Sequence, residues 1–270
     1  MYEASFINDQ VESATQSVKV NQLIPQFIHQ SWKTHTVPEK FNSWDQTWKH
    51  QNPDYNYILW NDQENEDLIR KEYPWFLDTY LSYSHPICRA DAARVFYLHR
   101  FGGVYVDLDI AAYKPLEGLL GEHQLVLAQM QTERRHAKHG IPNGFMASKP
   151  GHGFWMHCAR KMMLLVAANQ TKVELLTGPI MLWDALDEYL RTNASQVETI
   201  FIADSKLVFP FSWSSSDEAT KAHLAIPRPP VLEPPSDRVP ILLSRFMYTH
   251  AFEVVAQDYL SEQIYKRISA

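Results

Sequence analysis

A hydrophobic pattern with helical spacing runs from position 86 to position 100 of the chain. Asp91, Arg94, Val95 and Leu98 follow i, i+3, i+4, i+7 spacing, so their side chains share one face of the predicted helix. Two of these four residues carry charge at positions where apolar residues are expected. Two interpretations remain open: a buried ion pair that only fixes packing, or a polar site beside a ligand.

A second pattern begins after the glycines at positions 102 and 103. From Val104 to Ile110, apolar residues alternate with Tyr105, Asp107 and Asp109, which predicts a strand with both acids on one face. Gly102 can end the preceding helix, because a positive φ costs glycine little. Two strand residues separate the Cα atoms of the acids by about 6–7 Å, so the pair can hold one hard cation. The pattern thus predicts a site for a metal ion that carries a diphosphate.

Strand and helix patterns alternate through the first half of the chain. An apolar run within 23–33 predicts the first strand, and the aromatic spacing within 38–51 predicts a helix. A turn and a second strand follow at 52–60, and Asn61 and Asp62 begin the next helix. This alternation predicts an α/β fold that binds its ligand at the carboxyl ends of the strands.

Composition narrows the class of protein and of partner. The chain has 270 residues, of which 45% are hydrophobic and 21% charged, as is typical of one globular domain. The net charge of −6 and the lack of a basic stripe argue against a nucleic-acid partner. Cys88 and Cys158 are expected to be small buried residues rather than a disulfide.

The string Arg89-Ala-Asp-x-x-Arg94, followed by Gly102-Gly-Val-Tyr-Val-Asp-x-Asp109, is far more specific than an isolated Asp-x-Asp. It resembles the retaining glycosyltransferases that carry the DXD sugar-binding motif. That family includes fungal mannosyltransferases that act on inositolphosphoceramide and on N-glycans. The resemblance implies a GT-A fold, with a Rossmann-like nucleotide-binding sheet, a nucleotide-sugar donor and Mn²⁺, with Mg²⁺ as an alternative.

The resemblance also assigns roles to individual residues. Catalytic roles are expected for Asp91, Arg94 and Asp109, and metal binding for Asp107, Asp109 and His250, the last in the string Tyr248-Thr-His250. The family string Ile-Pro-x-x-Ile-His-x-x-Trp matches residues 24–32, where Trp32 can stack on the base. The residues expected to contact the nucleotide sugar are Ile28, His29, Trp32, Asp91, Arg94, Tyr105, Asp107 and Asn143.

The second half of the chain matches the family sparsely. Residues 131–142 carry basic and histidine side chains, and they are expected to form either a solvated loop or a mobile flap with Arg134, Arg135, Lys138 or His139 near an anion. Thr177 is expected to cap the helix that follows it. After His250 the chain departs from the family pattern, which leaves the acceptor side of the site undefined.

The expected organisation is a flexible segment at 1–22 and a single GT-A domain at 23–270. Within that domain, 23–115 would hold the nucleotide sugar and 116–270 the acceptor. The first twenty residues lack the pattern of a secretory signal, and no window reaches the length of a membrane span. On that basis no integral membrane segment and a cytoplasmic location are expected, with the Golgi lumen as the alternative if the sequence is part of a longer chain.

The predicted function is a metal-dependent retaining glycosyltransferase that moves a hexose to an acceptor hydroxyl with α linkage. Mannose from GDP-mannose is the expected donor, and a UDP-sugar carrying galactose, glucose or N-acetylglucosamine is the alternative. The acceptor is a sugar, a glycolipid or a small molecule. Two other classes of protein remain as alternatives: a non-catalytic sugar-binding module, and a metal-independent hydrolase, for which neighbouring acids on one face are poorly placed to flank a glycosidic bond.

Overall fold

The structure is a computed structural model that describes residues 23–130, 138, 140–193, 199–209 and 242–244. The N-terminal segment 1–22, expected to be flexible, lies outside the described residues. Most of the predicted loop at 131–142 lies outside them as well. Within the described part of the chain, no helix combines the length and the apolar character that a membrane crossing requires.

The described strands are short and mostly buried. They are β1 (Phe27–Ser31), β2 (Asn56–Trp60), β3 (Gly103–Val106), β4 (Ile110–Ala112), β5 (Leu125–Ala128), β6 (Phe145–Ser148), β7 (Ile200–Ala203) and β8 (Leu242–Ser244).

The helices fill the connections between these strands, and a 3₁₀ turn at Pro74–Phe76 precedes the third of them. They are α1 (Glu39–Gln51), α2 (Asp62–Glu72), α3 (Leu77–Ser82), α4 (Pro86–Arg100), α5 (Glu117–Leu120), α6 (Gly153–Ala167), α7 (Val173–Leu176), α8 (Pro179–Thr192) and α9 (Ser205–Val208).

Six of the described strands form one sheet in the order β2-β1-β3-β6-β5-β7. β1 runs parallel to β2 and β3, β6 runs antiparallel to β3 and β5, and β7 is parallel to β5. The carboxyl ends of β2, β1 and β3 therefore lie side by side at one edge of the sheet, in that order. The predicted α/β class with a Rossmann-like sheet is confirmed.

The sheet has a hydrophobic core on each face, as strand periodicity requires. In β3, Tyr105 packs into the larger core with α4, α6 and α8, while Val104 and Val106 pack into the other. On that second face, the indole N–H of Trp48 in α1 donates to the carbonyl of Ile110 at 2.6 Å and ties the helix to β4. Cys88 and Cys158 are both buried and free, as expected.

The predicted strand through the two acids is shorter than the alternation indicated. β3 ends at Val106, and Asp107 to Asp109 form a turn that the Ile110 N–H closes by donating to the Asp107 carbonyl at 3.2 Å. The prediction of one continuous strand is therefore wrong. Leu108 and Ile110 are buried, but they belong to a turn and to β4.

Two consecutive glycines connect α4 to β3, and both have positive φ, +66° at Gly102 and +89° at Gly103. A Cβ at Gly102 would lie 2.7 Å from Pro150, and a Cβ at Gly103 would lie 2.7 Å from the Cβ of Phe27. Both the backbone conformation and the close approach of neighbouring segments therefore require glycine here. The short link fixes the end of α4 against the start of β3.

Candidate active site

A cavity of about 490 Å³ lies at the carboxyl ends of β1, β2 and β3. Its charged lining, among the described residues, holds more carboxylates than cations. The carboxylates belong to Asp62, Asp91, Asp107, Asp109 and Glu174, and the cations to Lys33 and Arg94. This excess of negative charge fits a ligand that brings positive charge, such as a divalent cation bound with a diphosphate.

Asp91 and Arg94 form a buried ion pair on α4, with Asp91 Oδ1 2.9 Å from Arg94 Nη2. Thr177 donates its hydroxyl to the other oxygen, Asp91 Oδ2, at 3.1 Å. Burial raises the pKa of Asp91 to about 6, against the opposing effect of the Arg94 charge. Gly178, rather than Thr177, is the N-cap of α8, so the expected capping role of Thr177 is corrected to a contact with Asp91.

Arg94 joins the helix face to the acidic turn. Its Nη1 donates to the main-chain carbonyl of Asn143 at 2.8 Å and lies 3.3 Å from Asp107 Oδ1. The guanidinium carbon lies 4.4 Å from the centre of the Tyr105 ring, in cation–π geometry. One arginine thus holds α4, the turn and the segment before β6 together.

Asp107 is held by its neighbours through one oxygen. Tyr105 donates its hydroxyl to Asp107 Oδ1 at 2.7 Å, and the Arg94 contact uses the same oxygen. Oδ2 lies beside Gly144, where an added Cβ would come within 2.7 Å of it. The Asp107 N–H also donates to the Gly144 carbonyl at 2.9 Å. Gly144 therefore makes room for this carboxylate, which sequence patterns did not indicate.

Asp109 follows Asp107 in the acidic turn and lines the cavity. Burial, reinforced by the charge of Asp107, raises the pKa of Asp109 to about 8. A divalent cation next to both carboxylates would relieve this cost, and carboxylate oxygens are suitable ligands for Mg²⁺ or Mn²⁺. Among the described residues no group of three or more metal-ligating side chains occurs, so these two acids would need further ligands from a donor diphosphate, water or another part of the chain.

The structure brings most of the predicted site residues into this cavity. Trp32, Asp91, Arg94, Tyr105, Asp107, Asp109 and Asn143 all line it. His250 lies outside the described residues, as do Arg134, Arg135 and His139. Lys138 is described, and its ammonium group is 3.0 Å from Asp184 on α8.

Ile28 and His29 are placed differently from the expectation, since both are buried in β1 and neither lines the cavity. The His29 Nε2–H donates to the Gly102 carbonyl at 2.9 Å, and Nδ1 accepts from the Trp60 indole N–H at 3.1 Å. Burial lowers the pKa of His29 to about 4, so its ring is neutral. The expected nucleotide contact of these two side chains is corrected to a packing role.

One wall of the cavity combines the predicted Trp32 with Lys33, Phe41 and Asp62, which no sequence pattern indicated as part of the site. Trp32 packs against the edge of Phe41, with ring centres 5.9 Å apart and planes at 77°. Lys33 and Asp62 lie on the same wall. These residues come from the end of β1, from α1 and from the start of α2, so only the assembled sheet brings them together.

Residues 38–126 match a protein-family model described as "Glycosyltransferase sugar-binding region containing DXD motif". The cavity, with its acidic turn after a buried strand, lies largely within this segment. This segment therefore matches the DXD-containing glycosyltransferases, which confirms the predicted resemblance to that family and, for this segment, the predicted glycosyltransferase class.

Curated relatives carry more specific names. "Mannosyl phosphorylinositol ceramide synthase CSH1" of Saccharomyces cerevisiae is 40% identical over 141 residues, which are 52% of this chain and 36% of the relative. "Inositol phosphoceramide mannosyltransferase 1" of Schizosaccharomyces pombe is 32% identical over 183 residues, which are 66% of this chain and 56% of the relative. The chain thus spans about a third to a half of the length of these relatives.

Among solved structures, the "PaToxG Glycosyltransferase" is similar to this chain with a TM-score of 0.49 and 19% identity, over 72% of this chain and 80% of that one. The family assignment comes from the sequence matches.

The relatives correct the expected cytoplasmic location. They are mannosyltransferases of inositol phosphoceramide, which act in the Golgi. The prediction of a cytoplasmic location was based on the absence of a secretory-signal pattern and of a membrane span from this sequence. Because the chain matches only part of each relative, that lack gives no information about location.

Proposed function

We propose that this protein is a metal-dependent, retaining mannosyltransferase that moves mannose from GDP-mannose to a hydroxyl of an inositol phosphoceramide-type glycolipid, with α linkage. The observation that carries the proposal is the convergence of Asp91, Arg94, Asp107, Asp109 and Asn143 on one cavity at the sheet edge. The named activities of the relatives support the choice of mannose and of the acceptor.

Asp91 and Arg94 bind the donor sugar in this proposal. Asp91 is held by Arg94 and Thr177, so its carboxylate can accept hydrogen bonds from sugar hydroxyls without rearranging. Arg94 keeps a positive charge beside the place where the diphosphate leaves. The Asn143 side chain lines the same cavity and is the second polar contact proposed for the sugar.

Asp107 and Asp109 would hold the divalent cation, for which Mn²⁺ is proposed and Mg²⁺ is the alternative. When bound, the cation supplies charge neutralisation to the departing nucleoside diphosphate. Tyr105 and Arg94 fix the orientation of Asp107 before any ligand arrives. Configuration is retained if the acceptor hydroxyl attacks from the face that the diphosphate leaves. We further propose that 23–115 mainly binds the donor and that later residues bind the acceptor.

The proposal is tested by thermal unfolding of the purified chain with Mn²⁺ and each of GDP, UDP, GDP-mannose and UDP-sugars. A ligand at 100 times its Kd, bound only to the folded state, adds about 2.7 kcal/mol to the free energy of unfolding. We expect the unfolding midpoint to rise with GDP and GDP-mannose, and the rise to be lost with EDTA or in Asp109→Ala. Asp78→Ala, which removes an exposed acid of α3 outside the cavity, is the matched control.

Release of GDP from GDP-mannose is then measured with and without an inositol phosphoceramide acceptor. Acceptor-dependent release in the wild type and in Asp78→Ala, but not in Asp109→Ala, is the expected result. A midpoint that responds only to UDP and UDP-sugars would replace GDP-mannose by the alternative donor class. A lack of response to every nucleotide would contradict the transferase proposal and favour a non-catalytic sugar-binding module.

A further inference from the structure

We propose that Asp62 recognises the guanine base of the donor and thereby selects a guanine nucleotide over a uracil nucleotide. This inference rests on the proposed function, because it requires a nucleotide in the cavity. It assigns the choice of nucleotide to one side chain of the aromatic wall, defined as Trp32, Lys33, Phe41 and Asp62.

The order of strands in the sheet sets the order of ligand parts along the cavity. Asp62 follows β2, Trp32 and Lys33 follow β1, and the acidic turn follows β3. Neighbouring strands are about 4.8 Å apart, so the end of β2 lies roughly 10 Å from the end of β3. That is close to the distance from the base of a nucleoside diphosphate to its terminal phosphate. With the diphosphate at the acidic turn, the base lies against the aromatic wall.

The aromatic wall offers a fixed aromatic surface on which a flat ring can stack. The Trp32 N–H donates to the Trp60 carbonyl at 2.9 Å, which extends the β1–β2 pairing up to the wall. Phe41 supports Trp32 from one edge. A nucleobase can stack on such an aromatic side chain whatever its identity. Stacking on Trp32 therefore supplies binding but does not choose between bases.

The main chain on either side of Asp62 is fixed by hydrogen bonds at the start of α2. The Asn61 side chain accepts from the Glu64 N–H at 2.9 Å, and the Glu64 carboxylate accepts from the Asn61 N–H at 2.9 Å, which forms a capping box. His35 lies 2.9 Å from the Asn61 side-chain nitrogen and 2.8 Å from Glu64 Oε2. The main chain next to Asp62 is thus anchored, while its side chain is exposed on the cavity wall.

A carboxylate distinguishes the two bases by its hydrogen-bonding capacity. An ionised aspartate offers only acceptors, and the Watson–Crick edge of guanine offers two neighbouring donors, N1–H and N2–H₂. Uracil offers one donor, N3–H, between two carbonyl oxygens that would face the carboxylate oxygens. Lys33, on the same wall, can donate to the guanine O6. The charges of this wall therefore complement guanine better than uracil.

The test measures the Kd of GDP, IDP and UDP by isothermal titration calorimetry on the full chain with Mn²⁺. IDP lacks the N2 amino group and so removes one proposed donor without any mutation. A bidentate contact discriminates by about ten-fold or more, so the wild type is expected to bind GDP about ten-fold more tightly than IDP or UDP. Asp62→Asn should bind GDP about ten-fold more weakly and bring the three affinities within about two-fold, with UDP bound no more weakly than by the wild type because the amide no longer repels the uracil carbonyl oxygens.

Asp78→Asn is the matched control and should keep the wild-type preference. Since Asp62 is exposed, its Asn variant should unfold within about 0.5 kcal/mol of the wild type, and this is checked by thermal unfolding. If the wild type binds UDP as tightly as GDP, or if Asp62→Asn keeps the GDP preference, the inference about Asp62 is wrong while the transferase proposal stands. If the wild type binds none of the three, the proposed function fails, and this inference fails with it.

Discussion

His29 on β1 and the Asp91–Arg94 pair on α4 are two buried ionisable sites that differ in what surrounds them. Both ring nitrogens of His29 are used, by Gly102 and Trp60, and its ring stacks 5.7 Å from Tyr97. Asp91 and Arg94 are almost as buried, with side chains 6% and 5% exposed, but both line the cavity. Burial therefore does not by itself indicate function. The pair to which we assign a function is the one whose two charges form an ion pair and line an open cavity.

The variant with the largest expected effect is Arg94→Met, because it leaves the buried carboxylate of Asp91 without its counter-ion. We expect a loss of about 3–5 kcal/mol in the free energy of unfolding, measured by urea denaturation at pH 7. The control is Arg70→Met, which breaks a half-exposed ion pair with Glu66 and should cost less than about 1 kcal/mol. Equal losses in the two variants would contradict the view that the Asp91–Arg94 pair is a buried charged site.

The second prediction concerns pH and His29. Burial lowers the pKa of His29 to about 4 from its ordinary value of 6.5. Between pH 6.5 and 4 the histidine is therefore protonated in the unfolded state but neutral in the folded state. The free energy of unfolding should therefore fall as the pH drops from 6.5 to 4, with about 3 kcal/mol attributable to this residue. The measurement is urea denaturation across that range for the wild type and His29→Gln.

The variant should be less stable at pH 7 but should show a shallower decline on acidification. His50→Gln, which changes an exposed histidine at the end of α1, should keep the wild-type slope. If His29→Gln shows the same slope as the wild type, His29 is not the neutral core group that its contacts indicate.

The third prediction has the smallest expected effect, and it is a gain rather than a loss in the free energy of unfolding. Burial and the charge of Asp107 raise the pKa of Asp109 to about 8, so its ionised form opposes folding when no cation is present. In EDTA at pH 8.5, Asp109→Asn should raise the free energy of unfolding by about 1 kcal/mol, as measured by thermal unfolding. This is less than the pKa shift alone would give, because the buried amide of the variant also needs hydrogen-bond partners. The same variant should lose the stabilisation by Mn²⁺ and GDP. A destabilised Asp109→Asn would show that this acid has a structural role instead.

The sequence predicted the helix, glycine link and acidic strand end because those features follow from local spacing. The family resemblance assigned a nucleotide contact to His29, but its side chain is buried because both faces of this sheet pack into a core. The sequence pattern extended β3 too far because Leu108 and Ile110 continue the alternation, although they belong to a turn and to β4. In each case the tertiary contacts, not the local pattern, decide the outcome.

Trp32 was expected in the site, but the other residues of the aromatic wall and Gly144 could not be predicted from spacing. Phe41 has a helical spacing that suits a core residue equally well, and Asp62 looks like an ordinary first-turn acid of a helix. Gly144 matters only because the Asp107 carboxylate lies against it. Each of these roles depends on a contact with a residue from another segment, and such contacts cannot be deduced from a single sequence.

The glycine pair at 102 and 103 has a consequence for engineering the donor preference proposed for this protein. The helix with Asp91 and Arg94 and the turn with Asp107 and Asp109 are joined through these two residues, and neither position has room for a side chain. In a saturation library, both positions should return glycine alone among active clones. Substitutions that change the choice of sugar should therefore be found in the surrounding loops. The distance between the Asp91–Arg94 pair and the acidic turn should stay the same in all active variants.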